Sequence, residues 1–188
     1  MKQLFPSLPN PAGLGDVFQA FPETVAPLLD YHDRLLRGDS PLSVAQRELI
    51  AAFTSGLNAC NYCYNAHLLY AKAFGIAPEQ IEAMVADLDT APVDDNMRPI
   101  LRYCETLTRT PSKLTEADAK AVYDAGWSER ALFDAIQTCA LFNLMNRILE
   151  GTGITAYPLD PANADETDLH ARRTRGYADW GKSIGIMD

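Results

Sequence analysis

No stretch of this 188-residue sequence approaches the roughly 18 consecutive apolar residues that a membrane-spanning helix needs, so none is expected. Positive charge is scarce. Sixteen basic residues against 25 acidic ones leave a net charge of −9, which counts against a nucleic-acid surface or an anionic membrane as partner. No segment alternates apolar and polar residues over strand length, and no hairpin dipeptide separates such runs, so strands are not expected. Cysteine is limited to four residues, too few and too unevenly placed for a secreted disulfide framework. The opening MKQLFPSLPNPAG lacks the apolar run of a secretory signal, and a cytoplasmic location is expected.

What is present is a helical pattern. Apolar residues make up 47% of the chain, enough for one ordered core at this length. Residues 1–27 hold five prolines and two glycines among apolar anchors such as Leu4, Phe18 and Phe21. They read as an extended arm with at most short turns. Residues 28–157 carry the domain. Ser43 and Gln46 have capping-box spacing and start a helix, and Gly56 and Asn58 punctuate its end. The next helix is expected to begin near Asn58 or Ala59 and to end at Phe74-Gly75. Helices follow from Pro78, from Asp94 or Asp95, from Thr115, and from Ser128 to about Glu150. Residues 158–188 form a tail of mixed charge, anchored by Tyr177, Trp180 and Ile184, of the kind that packs on a neighbouring subunit.

The chemistry concentrates in residues 43–75. At 100° per residue, positions 60, 63 and 67 fall within about 60° of one another, so one helix presents Cys60, Cys63 and His67 on a narrow stripe. Glu48 lies on the preceding segment, and a turn at Gly56 to Asn58 folds it back toward that stripe. Thiols react as thiolates, and a helix start, an adjacent imidazole and a second thiol each favour the thiolate. His67, one turn after Cys63, is placed to take its proton. Glu48 can orient His67 or accept a proton from Cys60. Two thiols three apart can also turn over a peroxide, one becoming a sulfenic acid and the other condensing with it.

The pattern of Glu48, eleven residues, Cys60-Asn-Tyr-Cys63, three residues and His67 resembles the core motif of the AhpD-like alkylhydroperoxidases of the carboxymuconolactone decarboxylase superfamily. The later string Leu141-Phe142-Asn143-Leu144-Met145-Asn146-Arg147-Ile148 is similar to the second signature of that family's peroxidase-related branch. The resemblance implies an all-α bundle assembled as a trimer or hexamer. It implies a peroxidase in which Cys63 attacks an organic hydroperoxide, Cys60 resolves, and His67 and Glu48 relay protons. It implies no cofactor and no metal, and an unidentified dithiol reductant or adaptor protein as redox partner. Founding members carry a histidine directly before the second cysteine, where this chain has Tyr62, a poor base at neutral pH. Members that decarboxylate a lactone lack the cysteine pair.

Other readings of the same residues stand beside this one. Cys60, Cys63, His67 and Glu48 form a possible zinc ligand set, although three ligands from one helix is unusual for a closed site. The pair also suits a dithiol–disulfide oxidoreductase. Taken alone, Glu48 reads as a solvated carboxylate beside Arg47. Cys104 and Cys139 sit at apolar helical positions and read as core residues. His32 and His170 read as surface residues. Asn143, Asn146 and Arg147 divide evenly between a polar face and a buried role. Tyr62 and Tyr64 read equally as packing or substrate contacts.

Overall fold

The computed structural model describes residues 4–188, so the first three residues of the expected arm lie outside the described residues. Among the described residues there are ten α-helices and no strand. They are α1 (Leu14–Ala20), α2 (Val25–Arg37), α3 (Val44–Leu57), α4 (Asn61–Ala73), α5 (Pro78–Ala86), α6 (Met97–Arg109), α7 (Glu116–Asp124), α8 (Glu129–Thr152), α9 (Glu166–Thr174) and α10 (Tyr177–Ser183).

The bundle is built around α3. The Ser43 hydroxyl accepts from the Gln46 amide while the Gln46 side chain accepts from the Ser43 amide, so the expected capping box is formed. Every residue from Arg47 to Ser55 is buried, because α4, α5, α6 and α8 enclose the helix. Gly56 lies inside the last turn of α3 rather than breaking it. A Cβ there would approach Val85 Cγ2 to 2.5 Å, so its role is close packing against α5. The reversal comes three residues later, at Ala59, whose φ of 54° is left-handed.

α3 and α4 therefore form a tight antiparallel hairpin, and α8 crosses its open side. Gly75 and Gly153 close α4 and α8 with φ of 90° and 82°, conformations that cost glycine little. The buried apolar residues fall into two groups. One joins α3, α5, α6, α7 and the first half of α8. The other joins α1, α2, the start of α4 and the second half of α8, and it contains Cys60 and Cys63.

The two ends are more ordered than their sequence suggests. The arm contains α1, which buries Val17 and Phe18. The tail lies on its own chain: Asp33 of α2 accepts from the Tyr177 and Ala178 amides at 2.7 and 2.8 Å and so caps α10. Trp180 packs against Phe18 with ring centroids 5.8 Å apart. Lys72 and Arg173 tie the segment before α9, and α9 itself, to the C-terminal end of α4. No helix among the described residues is long and apolar enough to cross a membrane.

Candidate active site

Cys60 is the N-cap of α4, not a residue within it, so the helix begins two residues later than its composition suggests. Its amide donates to the Ser55 carbonyl at 3.0 Å and its carbonyl accepts from the Tyr64 amide at 2.9 Å, which holds the pair on the reversal. Cys63 follows in the first turn. Both cysteines are buried free thiols. The Cys63 thiol donates to the Cys60 sulfur. That bond lowers the Cys60 pKa against the effects of burial and of the Glu150 carboxylate. The same bond, with burial, raises the Cys63 pKa. The buried amide of Asn146 also bonds Cys63, which favours its thiolate.

The hairpin brings Glu48 onto His67. Glu48 Oε2 lies 2.7 Å from His67 Nδ1, so Nδ1 carries the proton and donates it to the carboxylate, and Nε2 is the nitrogen left for chemistry. The second carboxylate oxygen accepts from Arg37 Nη1 at 2.5 Å. Burial alone would push the Glu48 carboxyl up, but His67 and Arg37 outweigh it and hold the group below the usual carboxylate range. Arg37 is itself held 5.2–5.5 Å from the ring centres of Tyr70, Phe74 and Tyr177. Arg47, the neighbour in sequence, does something else. Its guanidinium donates to the Leu35 and Gly38 carbonyls at 2.7 and 2.8 Å and closes the end of α2.

Glu48 is thus committed to His67 and Arg37 rather than facing the thiols. Among the described residues no group of three or more histidine, cysteine or carboxylate side chains is arranged to hold a metal ion. The carboxylate beside Cys60 is Glu150, which comes from the far end of α8 and has no motif to announce it.

Cys63 and His67 open on one cavity of about 340 Å³, within the usual range for ligand pockets. Of the four cysteines, Cys63 alone lines it. Phe142 stands between two imidazoles on its wall, 4.2 Å from the His67 ring and 6.1 Å from that of His32. His32 is buried, contrary to the surface position expected for it. Its Nδ1 bonds the Leu28 carbonyl at 2.7 Å, and burial pushes its pKa down to about 4, so it is neutral at pH 7. The signal was present: positions 25, 29, 32 and 36 share one face of α2.

The second motif string now has a place. Phe142 and Met145 line the cavity. Asn146 donates to Ser55 Oγ at 3.1 Å and accepts from Asn58 Nδ2 at 2.9 Å. Asn143 accepts from the same Asn58 nitrogen, and Arg147 at the surface buttresses Asn143. Tyr62 faces the cavity and meets Tyr157 edge-on at 5.1 Å, while Tyr64 packs against the other core group. Burial raises the Tyr62 phenol above its ordinary value, so it stays protonated and serves as a donor or a wall.

The site of this all-helical protein thus joins a dithiol at the start of α4, the His67 imidazole one turn further along the same helix, the Glu48 carboxylate from the facing α3, and a cavity that Cys63 and His67 both line. Residues 22–106, which contain all four sequence-derived site residues, match the model of the Carboxymuconolactone decarboxylase family. The match is confined to that segment, and the chain shares its fold with AhpD-related solved structures. No curated protein matches the sequence. A peroxidase-related protein from Silicibacter sp. TM1040 is 28% identical, with a TM-score of 0.67 over 73% of this chain and 74% of that one. One from Ralstonia eutropha JMP134, described as an alkylhydroperoxidase AhpD core, is 22% identical, with a TM-score of 0.70 over 85% and 80%. A putative antioxidant defence protein AhpD from Agrobacterium tumefaciens is 16% identical, with a TM-score of 0.68 over 77% and 97%.

Proposed function

We propose that the protein is a thiol peroxidase that reduces organic hydroperoxides through a Cys60–Cys63 dithiol/disulfide cycle. The observation that carries this reading is that Cys63, alone among the cysteines, shares a cavity with the imidazole that Glu48 orients. Loss of one proton from the thiol pair leaves one negative charge shared across the S–H···S contact, and only the Cys63 end meets a substrate. His67 Nε2 takes that proton, and Glu48 stabilises the resulting imidazolium. The Cys63 thiolate attacks the terminal peroxide oxygen, and the O–O bond breaks. The alkoxide leaves as the alcohol after taking the proton from His67, and Cys63 becomes a sulfenic acid. Cys60 then attacks the sulfenic sulfur, the disulfide forms and water departs. An external dithiol, free or carried by an adaptor protein, supplies two electrons and two protons to restore the pair.

The reading extends to a cytoplasmic homo-oligomer, a trimer or hexamer, which cell fractionation and light scattering test. The decisive experiment is a single turnover of fully reduced protein with one equivalent of cumene hydroperoxide, followed by peptide mapping. Stoichiometric peroxide loss with a Cys60–Cys63 disulfide, absent in Cys63→Ser, is expected. Persistent peroxide with reduced thiols would falsify the proposal.

A further inference from the structure

Part of the wall of the cavity is made by the tail, and its chemistry is unlike the rest of the chain. Although acidic residues outnumber basic ones 25 to 16 overall, no aspartate or glutamate lines the cavity, while Arg172 and Arg175 do. Arg172 is held by α9: Nη1 donates to the Asp168 carbonyl at 3.0 Å and Nη2 to the Tyr157 hydroxyl at 3.1 Å. Arg172 also forms an ion pair with the Asp168 carboxylate at 3.8 Å, longer than a hydrogen bond. Its Nε is buried with no partner, and so is the Tyr177 hydroxyl on the same wall. Arg175 is exposed at the end of α9 and lines the cavity with no ion pair among the described residues. Besides these donors the lining includes the apolar Leu29, Phe142, Met145 and Leu149, with Trp180 from the tail itself. Two cationic groups and a free phenol beside these apolar residues suit an amphipathic anion. The planar guanidinium suits a carboxylate.

We infer that the cavity selects organic hydroperoxides carrying a carboxylate, which Arg172 and Arg175 hold while the apolar body lies along Phe142 and Trp180 toward Cys63. This inference rests on the peroxidase reading for the reacting group, but the anion site stands on its own residues. A neutral hydroperoxide would fill the apolar part and leave the donors bare.

The test separates the two. Binding of 4-isopropylbenzoate, a non-peroxide acid, is compared with that of its neutral amide by Trp180 fluorescence or calorimetry. The wild type, Arg175→Gln and the Arg172→Gln/Arg175→Gln double variant are used, with circular dichroism to check folding. In parallel, kcat/KM is measured for cumene hydroperoxide and for its para-carboxylate. The wild type is expected to prefer each acid by about tenfold, the scale of one charge-assisted hydrogen bond. The double variant should lose that preference, and Arg175→Gln, at an exposed side chain without a partner, should lose part of it. Equal binding of acid and amide, or a preference that survives in a folded double variant, overturns the inference. If the acid binds through the arginines but neither peroxide is consumed, the anion site stands and the peroxidase reading fails. If both peroxides react alike, the peroxidase reading stands and the anion site falls.

Discussion

The protein holds two pairs of neighbouring thiols, and they differ in almost everything except their closeness. Cys60 and Cys63 are three apart at the start of α4, against a cavity. Cys104 and Cys139 come from α6 and α8 and meet inside the other core group. There Cys139 lies 3.2 Å from the Thr108 hydroxyl and 3.6 Å from the Cys104 carbonyl, and Cys104 faces the Ala135 carbonyl at 3.9 Å. The contact with Cys104, opposed by burial and helped by Thr108, Thr54 and Asn143, lowers the Cys139 pKa to about 7. Acidity alone would make Cys139 as much a candidate reactive thiol as Cys60, whose pKa is also lowered. Cys139 does not line the cavity at Cys63 and has no imidazole beside it, so the two pairs differ in access and in a proton acceptor rather than in a favourable pKa. The two pairs are joined by a thread of amides: Asn143 touches Cys139 and Asn58, and Asn146 touches Asn58 and Cys63.

Alkylation puts the comparison at greatest risk. Iodoacetamide on the native protein should modify Cys63 at least about a thousandfold faster than Cys104 or Cys139, because a sealed core thiol reacts only through opening. Peptide mapping against time reads this, and comparable rates would dissolve the distinction. Substitution comes next. Cys63→Ser should lower peroxide consumption by a factor on the order of a thousand, since a serine hydroxyl is not a thiolate. Cys139→Ser should stay within about threefold of wild type, losing some stability from a buried hydroxyl. Equal losses in stopped-flow assays would mean that the amide thread carries function. His67→Asn should cost about a hundredfold in the rate of attack, the scale of general base catalysis, with recovery at higher pH as the thiol pair loses its first proton unaided.

The smallest effect tests the cavity wall that the first pair has and the second lacks. His32 stays neutral in the fold down to pH about 4, whereas the unfolded chain protonates it near 6.5. The unfolded state therefore binds more protons between those values. Stability is complete above pH about 6.5 and falls as pH drops toward 4, by about 3 kcal/mol if the shift is fully expressed. His32→Leu should flatten that part of the profile in urea titrations at successive pH values. An unchanged difference between pH 7 and 4.5 would show that His32 does not sit neutral in the core.

Much of the bundle was legible because its signals are local. Ser43 with Gln46, Pro78, Ser128, Gly75 and Gly153 each act within one turn, and the helices from α3 to α8 lie close to expectation. The arm and tail were less legible. α1, α9 and α10 are short, and short helices draw their stability from docking rather than from their own residues. α10 depends on a cap supplied from 144 residues away by Asp33. The site divides in the same way. Spacing placed Cys60, Cys63 and His67 together, but it could not assign Glu48 to Arg37 and His67 rather than to Cys60. Nor could it decide that Asn146 is buried beside Cys63, or that Glu150 is the carboxylate near Cys60.

The sequence by itself determined an all-helical chain and a dithiol, because helix period, caps and the three-residue cysteine spacing are properties of the backbone over a turn or two. Only the tertiary structure decided which thiol meets the cavity, which imidazole is oriented and which is merely buried, and which arginines line that cavity. Those facts depend on which helices pack together and on the dielectric they create, and neither is encoded within any one segment.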